Sequence, residues 1–524
     1  MMMRRTLLAS LAAVGAAGPS LRAIAQAGGA GKHLTYAQST AVLTLDPAQG
    51  CFTGYPAGYE AALCLYDRLL DFDAEMKIVP ELAESIAMAD DLKSATLKLR
   101  GKVTFHDGTP FDANAVKVNI ERLMDAKRNP TNRPLWDPLS GVEVPDPATV
   151  VIHLKAPFAQ LPNSLAHGSC AMVSPAALEK YGETGIAHHP VGAGPFRMVS
   201  FNPGQELVVE AFDAYWGGRP ATDRITFHYI AEPATRLSAL RTGAVDVIDS
   251  VPVALVGSLK TDMGVSVLTS PGLRPIGFAL NLLRDTLKDA RVRQALNLAV
   301  PVDLIAQKVF LGYARAPDSP LAFNTEGYHS VSKLVFDQAR AKSLLAEAGF
   351  SAAKPLTLAM YASNGLFPND AAVAQVVANA LKQVGVDVAT TQVESGSYWD
   401  ALRQDAAGVK WDLAMFGFNP SNASGLYQLN SLFKSNANDS ARPDVWNMCR
   451  YRNTQVDQLL ATAGTAPGAA QRSAAMARAQ EIIWKDNPYI WLQINENITA
   501  TRKQVSDVEV WPIVFTSLRH ATVS

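Results

Sequence analysis

Segments that combine aromatic and polar residues are the part of this sequence best suited to bind a small polar molecule. In the stretch 418–427, Asn, Ser and Gly residues stand beside aromatic ones, so amide, hydroxyl and backbone donors adjoin flat apolar surfaces. Ligand clefts combine such walls with a few convergent hydrogen-bonding groups. Packing in a core or on the surface is the alternative for each aromatic residue taken singly. We predict a ligand site formed by Phe52, Thr53, Tyr55, Arg133, Trp136, Trp399, Phe418, Asn419, Ser421, Asn422, Ser424 and Tyr427.

Motifs of catalysis and metal binding are absent from the sequence. It contains no Gly-x-Ser-x-Gly elbow, no His-Glu-x-x-His helix and no Walker loop, and the run Gly192-Ala193-Gly194-Pro195 ends in a residue without an N–H for a phosphate. His188 and His189 are adjacent, so their side chains diverge, and two ligands rarely make a metal site. His106 and Asp107 stand at a turn, where a structural hydrogen bond is the simpler interpretation. We predict no catalytic residue, no metal site and no cofactor.

Length and charge narrow the class of protein. A chain of 524 residues exceeds what one hydrophobic core usually supports, so we expect at least two lobes. The composition, 48% hydrophobic and 18% charged, is typical of a folded α/β protein. With 47 basic and 48 acidic residues the net charge is -1, and no basic block follows the first residues, which excludes a nucleic-acid partner.

The first 25 residues have the pattern of a cleavable signal peptide. Arg4 and Arg5 precede an apolar run over 7–21, and Ala23-Ile24-Ala25 supplies small residues at the cleavage site. A transmembrane anchor is the alternative, but it needs about 20 apolar residues, and this run is shorter and interrupted by glycines and a proline. The twin-arginine and the general secretory routes both fit. We therefore expect a mature protein free in the periplasm.

The four cysteines are compatible with an oxidising compartment, but their spacing does not indicate a disulfide framework. They are Cys51, Cys64, Cys170 and Cys449, and their spacing matches no thiolate metal site. The sequence is compatible with one disulfide and equally with four buried free thiols.

A crossover unit near the middle of the chain indicates parallel strand pairing. Leu356–Met360 is predicted as a strand, Asp370 as the cap of a helix that ends at Gly385, and Val386–Val393 as a second strand. A strand, helix and strand in this order place the two strands side by side and parallel.

Turn and capping residues elsewhere in the sequence also indicate alternating strands and helices. Ala95–Leu99 and Val103–Phe105 alternate as strands do, and Asp112 can cap a helix. Helices are also predicted over Arg236–Thr242 and Asp337–Ala348, since each is followed by a glycine. The sequence thus predicts an α/β protein with mixed sheets.

Motifs along the mature chain resemble those of ABC-importer solute-binding proteins of family 5, the peptide, nickel and glutathione class, and look most like its glutathione-binding members. They come in the family's order: Leu45-Asp46-Pro47-Ala48, Tyr66-Asp67-Arg68-Leu69-Leu70, Pro80-Glu81-Leu82-Ala83-Glu84-Ser85, Phe105-His106-Asp107-Gly108-Thr109-Pro110, Val191-Gly192-Ala193-Gly194-Pro195-Phe196, Val292-Arg293-Gln294-Ala295-Leu296-Asn297 and Asn487-Pro488-Tyr489-Ile490. One such match would be weak, whereas this many in order is specific.

The resemblance implies a periplasmic-binding-protein-like fold of two lobes joined by two hinge crossings, near Ile276–Asn281 and Pro488–Ile494. It also implies a monomeric receptor that captures a small peptide or glutathione-like ligand and delivers it to an ABC permease in the inner membrane. A non-peptide organic solute or a metal chelate is the alternative ligand, and a periplasmic enzyme or a chaperone or sensory partner the alternative role. The expected parts are a signal peptide at 1–25, lobe I at 26–58, 187–277 and 490–524, an inserted domain at 59–186 and lobe II at 278–489.

One departure from the family concerns the ligand's charge. Peptide-binding relatives carry an Asp that pairs with the ligand's ammonium in the loop matching 417–429, and here that loop has no acidic residue. Burying an ammonium without a partner costs several kcal/mol. The departure favours amine-blocked, γ-linked or non-peptide ligands, unless Glu394, Asp400 or another carboxylate reaches the site. Arg133 is the predicted partner of a ligand carboxylate.

Overall fold

The computed structural model describes residues 31–49, 56–127, 132–443, 446–513 and 515–524. The predicted signal peptide, Cys51 and the predicted ligand residues Phe52, Thr53 and Tyr55 lie outside the described residues.

Strands and helices alternate along the described chain. The strands are β1 (His33–Gln38), β2 (Leu70–Phe72), β3 (Ile78–Pro80), β4 (Ala83–Met88), β5 (Ser94–Leu99), β6 (Leu139–Asp146), β7 (Thr149–Leu154), β8 (Phe196–Asn202), β9 (Glu206–Ala211), β10 (Arg224–Tyr229), β11 (Val247–Ile248), β12 (Val265–Leu280), β13 (Ala314–Arg315), β14 (Leu356–Asn364), β15 (Val386–Glu394), β16 (Leu413–Gly417), β17 (Tyr489–Arg502), β18 (Val505–Ser506), β19 (Glu509–Trp511), β20 (Phe515–Ser517) and β21 (Thr522–Val523). The helices are α1 (Pro56–Leu65), α2 (Ala113–Met124), α3 (Arg133–Trp136), α4 (Leu161–Ala166), α5 (Pro175–Gly185), α6 (Pro233–Thr242), α7 (Val253–Lys260), α8 (Asp285–Lys288), α9 (Ala290–Ala299), α10 (Val302–Lys308), α11 (Gln338–Glu347), α12 (Asp370–Gln383), α13 (Ser395–Leu402), α14 (Gly425–Phe433), α15 (Thr454–Thr465) and α16 (Ala469–Asp486).

One mixed sheet runs through the middle of the molecule in the order β15-β14-β16-β12-β17-β11-β1-β10-β9-β8, with β13 added beside β17. At its centre the long strands β12 and β17 pair antiparallel, from Val265 opposite Arg502 to Ala279 opposite Tyr489. These two strands contain all but one residue of each segment expected as a hinge crossing, so the two segments are neighbours in a single sheet.

Two large hydrophobic cores lie on either side of these central strands. The first draws on residues between Leu34 and Val247 and again on the C-terminal segment as far as Ala521. The second runs from Ile276 to Leu492. The fold is therefore a two-lobed α/β fold, as expected, and the lobe boundaries given above stay a prediction.

A separate antiparallel sheet of order β4-β5-β7-β6, with helix α2, forms the part of the chain expected as an insertion. The predicted cap is confirmed, since the Asp112 carboxylate accepts a hydrogen bond of 3.0 Å from the backbone N–H of Ala115. The predicted strand over Val103–Phe105 is wrong, because this stretch makes only an isolated bridge between Thr104 and Pro110.

The predicted crossover unit in lobe II is confirmed. Strands β14 and β15 pair parallel, with Leu356 opposite Val386, and α12 connects them. Asp370 differs from its prediction: it is the first helical residue, after the cap position at Asn369. Its carboxylate instead closes the preceding loop, accepting hydrogen bonds from the Ser363 hydroxyl at 2.7 Å and the Gly365 N–H at 2.8 Å.

The three described cysteines and His106 have structural roles, as buried thiols and as a hydrogen-bonded ring. Cys64, Cys170 and Cys449 are buried free thiols, and burial raises the pKa of Cys64 and Cys449 to about 12. The ring of His106 lies 3.0 Å from the Gly194 carbonyl, and burial lowers its pKa to about 4.

The described residues include neither a membrane-spanning helix nor a cluster of metal ligands. No helix there is long and apolar enough to cross a membrane. No group of three or more His, Cys, Asp or Glu side chains there could hold a metal ion.

A buried ion network fastens the C-terminal segment to the inserted part of the chain. Arg519 pairs with Asp67, with Glu81 at 2.7 Å and with Asp71 at 3.3 Å. Arg68 pairs with the same Asp71 and Glu81. Because two buried cations share three carboxylates, removal of one arginine leaves buried charge without compensation.

Replacing Arg519 with methionine should therefore lower the free energy of unfolding by about 3–5 kcal/mol. Urea unfolding of the purified protein measures this. Arg197→Met is the matched control, because Arg197 is half exposed and pairs with Glu210 at the surface; it should cost less than about 1 kcal/mol. Equal small losses in the two variants would contradict a stabilising role for the network.

Candidate functional site

The loop 418–427 lies where the two lobes touch. We call it the interlobe loop. The Gln160 side-chain amide donates to the Ser424 hydroxyl at 2.7 Å, and the Asn163 amide donates to the Asn422 carbonyl at 3.2 Å. Three predicted ligand residues, Ser424, Asn422 and, through His167, Ser421, thus bond directly to the part of the chain expected as the inserted domain.

His167 connects this contact to the interior of the inserted domain. Its Nδ1 accepts a hydrogen bond of 3.0 Å from the Ser169 backbone N–H, so Nδ1 carries no proton and Nε2 does. The Nε2–H then donates to the Ser421 hydroxyl, 2.9 Å away. Burial, with a contribution from Arg68, lowers the pKa of His167 to about 3, so the imidazole is neutral.

Trp136 stands behind this histidine rather than in a cleft. Its indole is fully buried and donates to the Ser169 hydroxyl at 3.2 Å. A hydrogen-bonded chain of Trp136, Ser169, His167 and Ser421 therefore leads to the interlobe loop. Trp136 supports the contact and offers no surface to a ligand.

Arg133 does not meet the role predicted for it. Its guanidinium donates to the carbonyls of Leu123 and Met124, both at 3.1 Å, and pairs with Asp137. These carbonyls belong to the last turn of α2, so Arg133 caps that helix. With its donors committed locally, Arg133 is no longer proposed as the partner of a ligand carboxylate.

Apolar and backbone contacts complete the interlobe loop. Ala423 and Tyr427 pack against the first core, and the Asn419 amide donates to the Ile513 carbonyl at 2.8 Å. Gly425 is required here, because a Cβ at this position would lie 2.2 Å from the Glu326 carbonyl oxygen. The loop is thus fixed against both the inserted domain and the C-terminal segment.

An aromatic cluster of lobe II adjoins the interlobe loop. The half-buried Trp399 meets Phe416, Trp446 and Phe367 edge-on, with ring centroids 5.7, 5.6 and 6.3 Å apart. Phe418 reaches Trp446 at 6.3 Å. The structure therefore brings two predicted ligand residues, Trp399 and Phe418, into one apolar wall.

Carboxylates named as possible partners of a ligand ammonium have other partners. Glu394 accepts a hydrogen bond of 3.0 Å from the Asn364 amide, and Asp400 pairs with Arg442 at 3.3 Å. Neither carboxylate compensates for the absence of acidic residues in 417–429.

Sequence reasoning missed three polar residues on the crossing strands. Arg274 lies on β12, and Gln493 and Asn495 lie on β17. The two side-chain amides and the Arg274 Nε are enclosed and have no hydrogen-bond partner within the described chain. The available signal was a glutamine inside the apolar run Ile490–Ile494, since such a residue in a buried strand needs a partner.

Comparison with known proteins gives a family and a near full-length relative. The family model for bacterial extracellular solute-binding proteins, family 5 Middle, matches residues 77–440. The glutathione-binding protein GsiB of Pectobacterium atrosepticum is 32% identical over 517 residues, which cover 97% of this chain and 98% of that protein.

Solved structures agree on the fold. HbpA2 from Haemophilus parasuis matches with a TM-score of 0.80 at 23% identity, covering 94% of this chain and 100% of that one. NikZ from Campylobacter jejuni, solved in complex with Ni(L-His), matches with a TM-score of 0.80 at 21% identity, covering 94% of this chain and 99% of that one.

The buried neutral His167 predicts an acid-sensitive stability. Its unfolded-state pKa of about 6.5 lies above the folded value, so protons bind the unfolded chain first. The contribution to stability is complete above pH 6.5 and falls as the pH decreases towards 3. Between pH 7 and pH 5 the wild type should lose about 2 kcal/mol more than His167→Gln, which keeps a donor but does not titrate.

Urea unfolding at pH 7 and pH 5 measures this difference. His153→Gln is the control for the substitution itself, because His153 lies exposed at the surface, 3.1 Å from Glu143. The same pH dependence in the wild type and His167→Gln would contradict the assignment.

Proposed function

The chain belongs to family 5 of the bacterial extracellular solute-binding proteins, and we propose that its ligand is a small peptide of the glutathione class. As a member of this family it is a periplasmic transport receptor that works with an ABC importer, and it is not an enzyme. The observation that carries the ligand proposal is the 32% identity to a glutathione-binding protein over nearly the full length of both chains.

The absence of acidic residues from the interlobe loop itself supports a γ-linked peptide over an ordinary one. The loop has no carboxylate for a free ammonium. In a γ-linked peptide such as glutathione, the ammonium and a carboxylate share one carbon atom, so the ligand carries part of its own charge compensation. The protein then has less uncompensated charge to bury.

Closure of the lobes is the means by which a bound ligand is signalled. Contacts such as Gln160 with Ser424 join the lobes only when they are together. A ligand that touches both lobes shifts the population towards the closed form by its differential affinity for that form.

Export and assembly complete the proposal. Residues 1–25 act as a signal peptide that is removed, through the twin-arginine or the general secretory route, and the mature protein is a monomer. Lobe I, the inserted domain and lobe II have the boundaries predicted from the sequence.

A thermal-shift screen of the mature protein tests the ligand class. Glutathione, dipeptides, tripeptides and nickel-histidine are the probes. Glutathione at 100 times its Kd should stabilise the protein by about 2.7 kcal/mol, which raises the melting temperature measurably. A shift with nickel-histidine and none with any peptide would contradict the peptide proposal.

The aromatic wall predicts a second result. We propose that Trp399 packs against the ligand, since it is half-buried and central to the cluster with Phe418. Trp399→Ala should weaken glutathione binding about tenfold, as measured by calorimetry. Phe336→Ala is the matched control, because this aromatic residue of the same lobe is 52% exposed. An unchanged affinity in Trp399→Ala would remove this residue from the site.

A further inference from the structure

Arg274 is a charged group to which the described residues supply no anion. The ion pairs and hydrogen bonds of the described residues leave its guanidinium unused, and its Nε is enclosed without a partner. Burial lowers the pKa of Arg274 to about 10, so it stays charged at neutral pH. The aromatic ring of Phe367 lies beside it, with the ring centroid 6.0 Å from the guanidinium carbon. An aromatic face attracts a cation but does not neutralise it.

Two side-chain amides on the neighbouring strand β17 also lack hydrogen-bond partners among the described residues. Gln493 is 1% exposed, and neither its amide nitrogen nor its amide oxygen has a partner among the described residues. The amide atoms of Asn495 are enclosed and unbonded in the same way. Enclosed polar groups without partners cost stability, and each primary amide offers both a donor and an acceptor, the complement of a peptide group.

Strand register places these residues together. Ile276 stands opposite Gln493 on one side and opposite Gly417 on the other. Arg274 precedes Ile276 by two residues and so lies on the same face, diagonal to Gln493 and within reach of a long side chain. A Cβ on Gly417 would lie 3.1 Å from the Arg274 Cδ, so the arginine stem rests over a glycine.

The position of the group in the sheet is that of a ligand site. Strands β14 and β16 are parallel and end at Asn364 and Gly417. Phe367, next to Arg274, follows the first of these ends, and Phe418 of the aromatic wall follows the second. Ligands of open α/β sheets bind outside the carboxyl ends of the strands.

We infer that Arg274 binds a carboxylate of the ligand and that Gln493 and Asn495 hydrogen-bond the ligand's amide groups beside it. This inference rests on the proposed function, because it specifies the chemistry of the same peptide site. Water can satisfy the two amides when no ligand is bound. The described residues supply no carboxylate to the guanidinium, so a carboxylate of the ligand would compensate a charge that the fold leaves without an ion pair. The ligand class is therefore a peptide-like acid, recognised by its carboxylate rather than by a free ammonium.

Calorimetry with glutathione and its glycine monoethyl and diethyl esters tests the carboxylate contact. Arg274→Gln should bind glutathione about 30-fold more weakly than the wild type, and both proteins should bind the diethyl ester equally weakly. The monoethyl ester identifies which carboxylate is bound. Arg133→Gln is the matched control, since its donors are used locally, and should bind glutathione as the wild type does.

A variant Arg274→Gln that still prefers glutathione to its diethyl ester as strongly as the wild type would overturn the inference and leave the proposed function intact. For the amides, Gln493→Leu should weaken glutathione binding about tenfold. Unchanged binding in this variant would remove Gln493 from the contact.

Two further measurements separate this inference from the proposed function. If no peptide shifts the melting temperature but glutarate does, and Arg274→Gln abolishes that shift, the inference stands and the peptide ligand falls. If no probe binds, the melting of ligand-free Arg274→Met decides. An equal or higher melting temperature supports a guanidinium kept for an anion, and a clearly lower one shows a structural arginine and overturns the inference.

Discussion

The antiparallel pairing of β12 with β17 is the constraint on which the rest of the structure depends. Both strands lie in the one large sheet, and β12 supplies Leu273 to the first hydrophobic core and Ile276 to the second, so the pair joins the two lobes. The register shifts between Pro271 and Pro275 and again between Ile276 and Gly277, and such bulges re-aim neighbouring side chains. Gly277 permits the close approach, because a Cβ there would lie 2.4 Å from the Ile490 carbonyl oxygen. One strand pair thus sets both how the lobes connect and which side chains they present to each other.

The contacts of the interlobe loop have the strength expected of a reversible closure. Each hydrogen bond, such as that between His167 and Ser421, contributes about 0.5–1.5 kcal/mol net, because its groups can bind water when the lobes separate. A few such bonds hold the closed form by an amount that a ligand's binding energy can match or exceed. The network of Arg519 differs, since its charges are buried and joined to one another by ion pairs rather than by single hydrogen bonds, so separating them would leave buried charge without compensation. Rigid lobes with a weak contact between them are what a population shift requires.

Local sequence signals predicted the local parts of the structure. The cap at Asp112 and the β14-α12-β15 unit follow from short-range patterns and were confirmed. Asp370 was misassigned by one position, because a carboxylate can cap a helix or close the loop before it, and the sequence does not distinguish these. Arg133 was assigned to a ligand because a planar guanidinium can bind a carboxylate through two hydrogen bonds, but in the structure its donors bond to the carbonyls that end α2. The partner of Ser421 could not be predicted, because His167 lies 254 residues away and only the tertiary fold brings them together.

Comparison of the buried arginines shows how the same group can have two uses. Arg122 holds Asp46 with two hydrogen bonds of 2.9 and 2.6 Å, and Arg519 holds three carboxylates; in each case the fold itself supplies the anions. Arg274 is half-buried rather than fully buried, with its Nε enclosed, and no carboxylate of the described residues compensates its charge. A stability argument alone would replace it by an apolar residue of similar volume, as buried ion pairs themselves often can be. Arg274 lies beside enclosed amides, at the strand ends where α/β proteins bind ligands. Its position is explained if the bound solute supplies the anion that the fold does not.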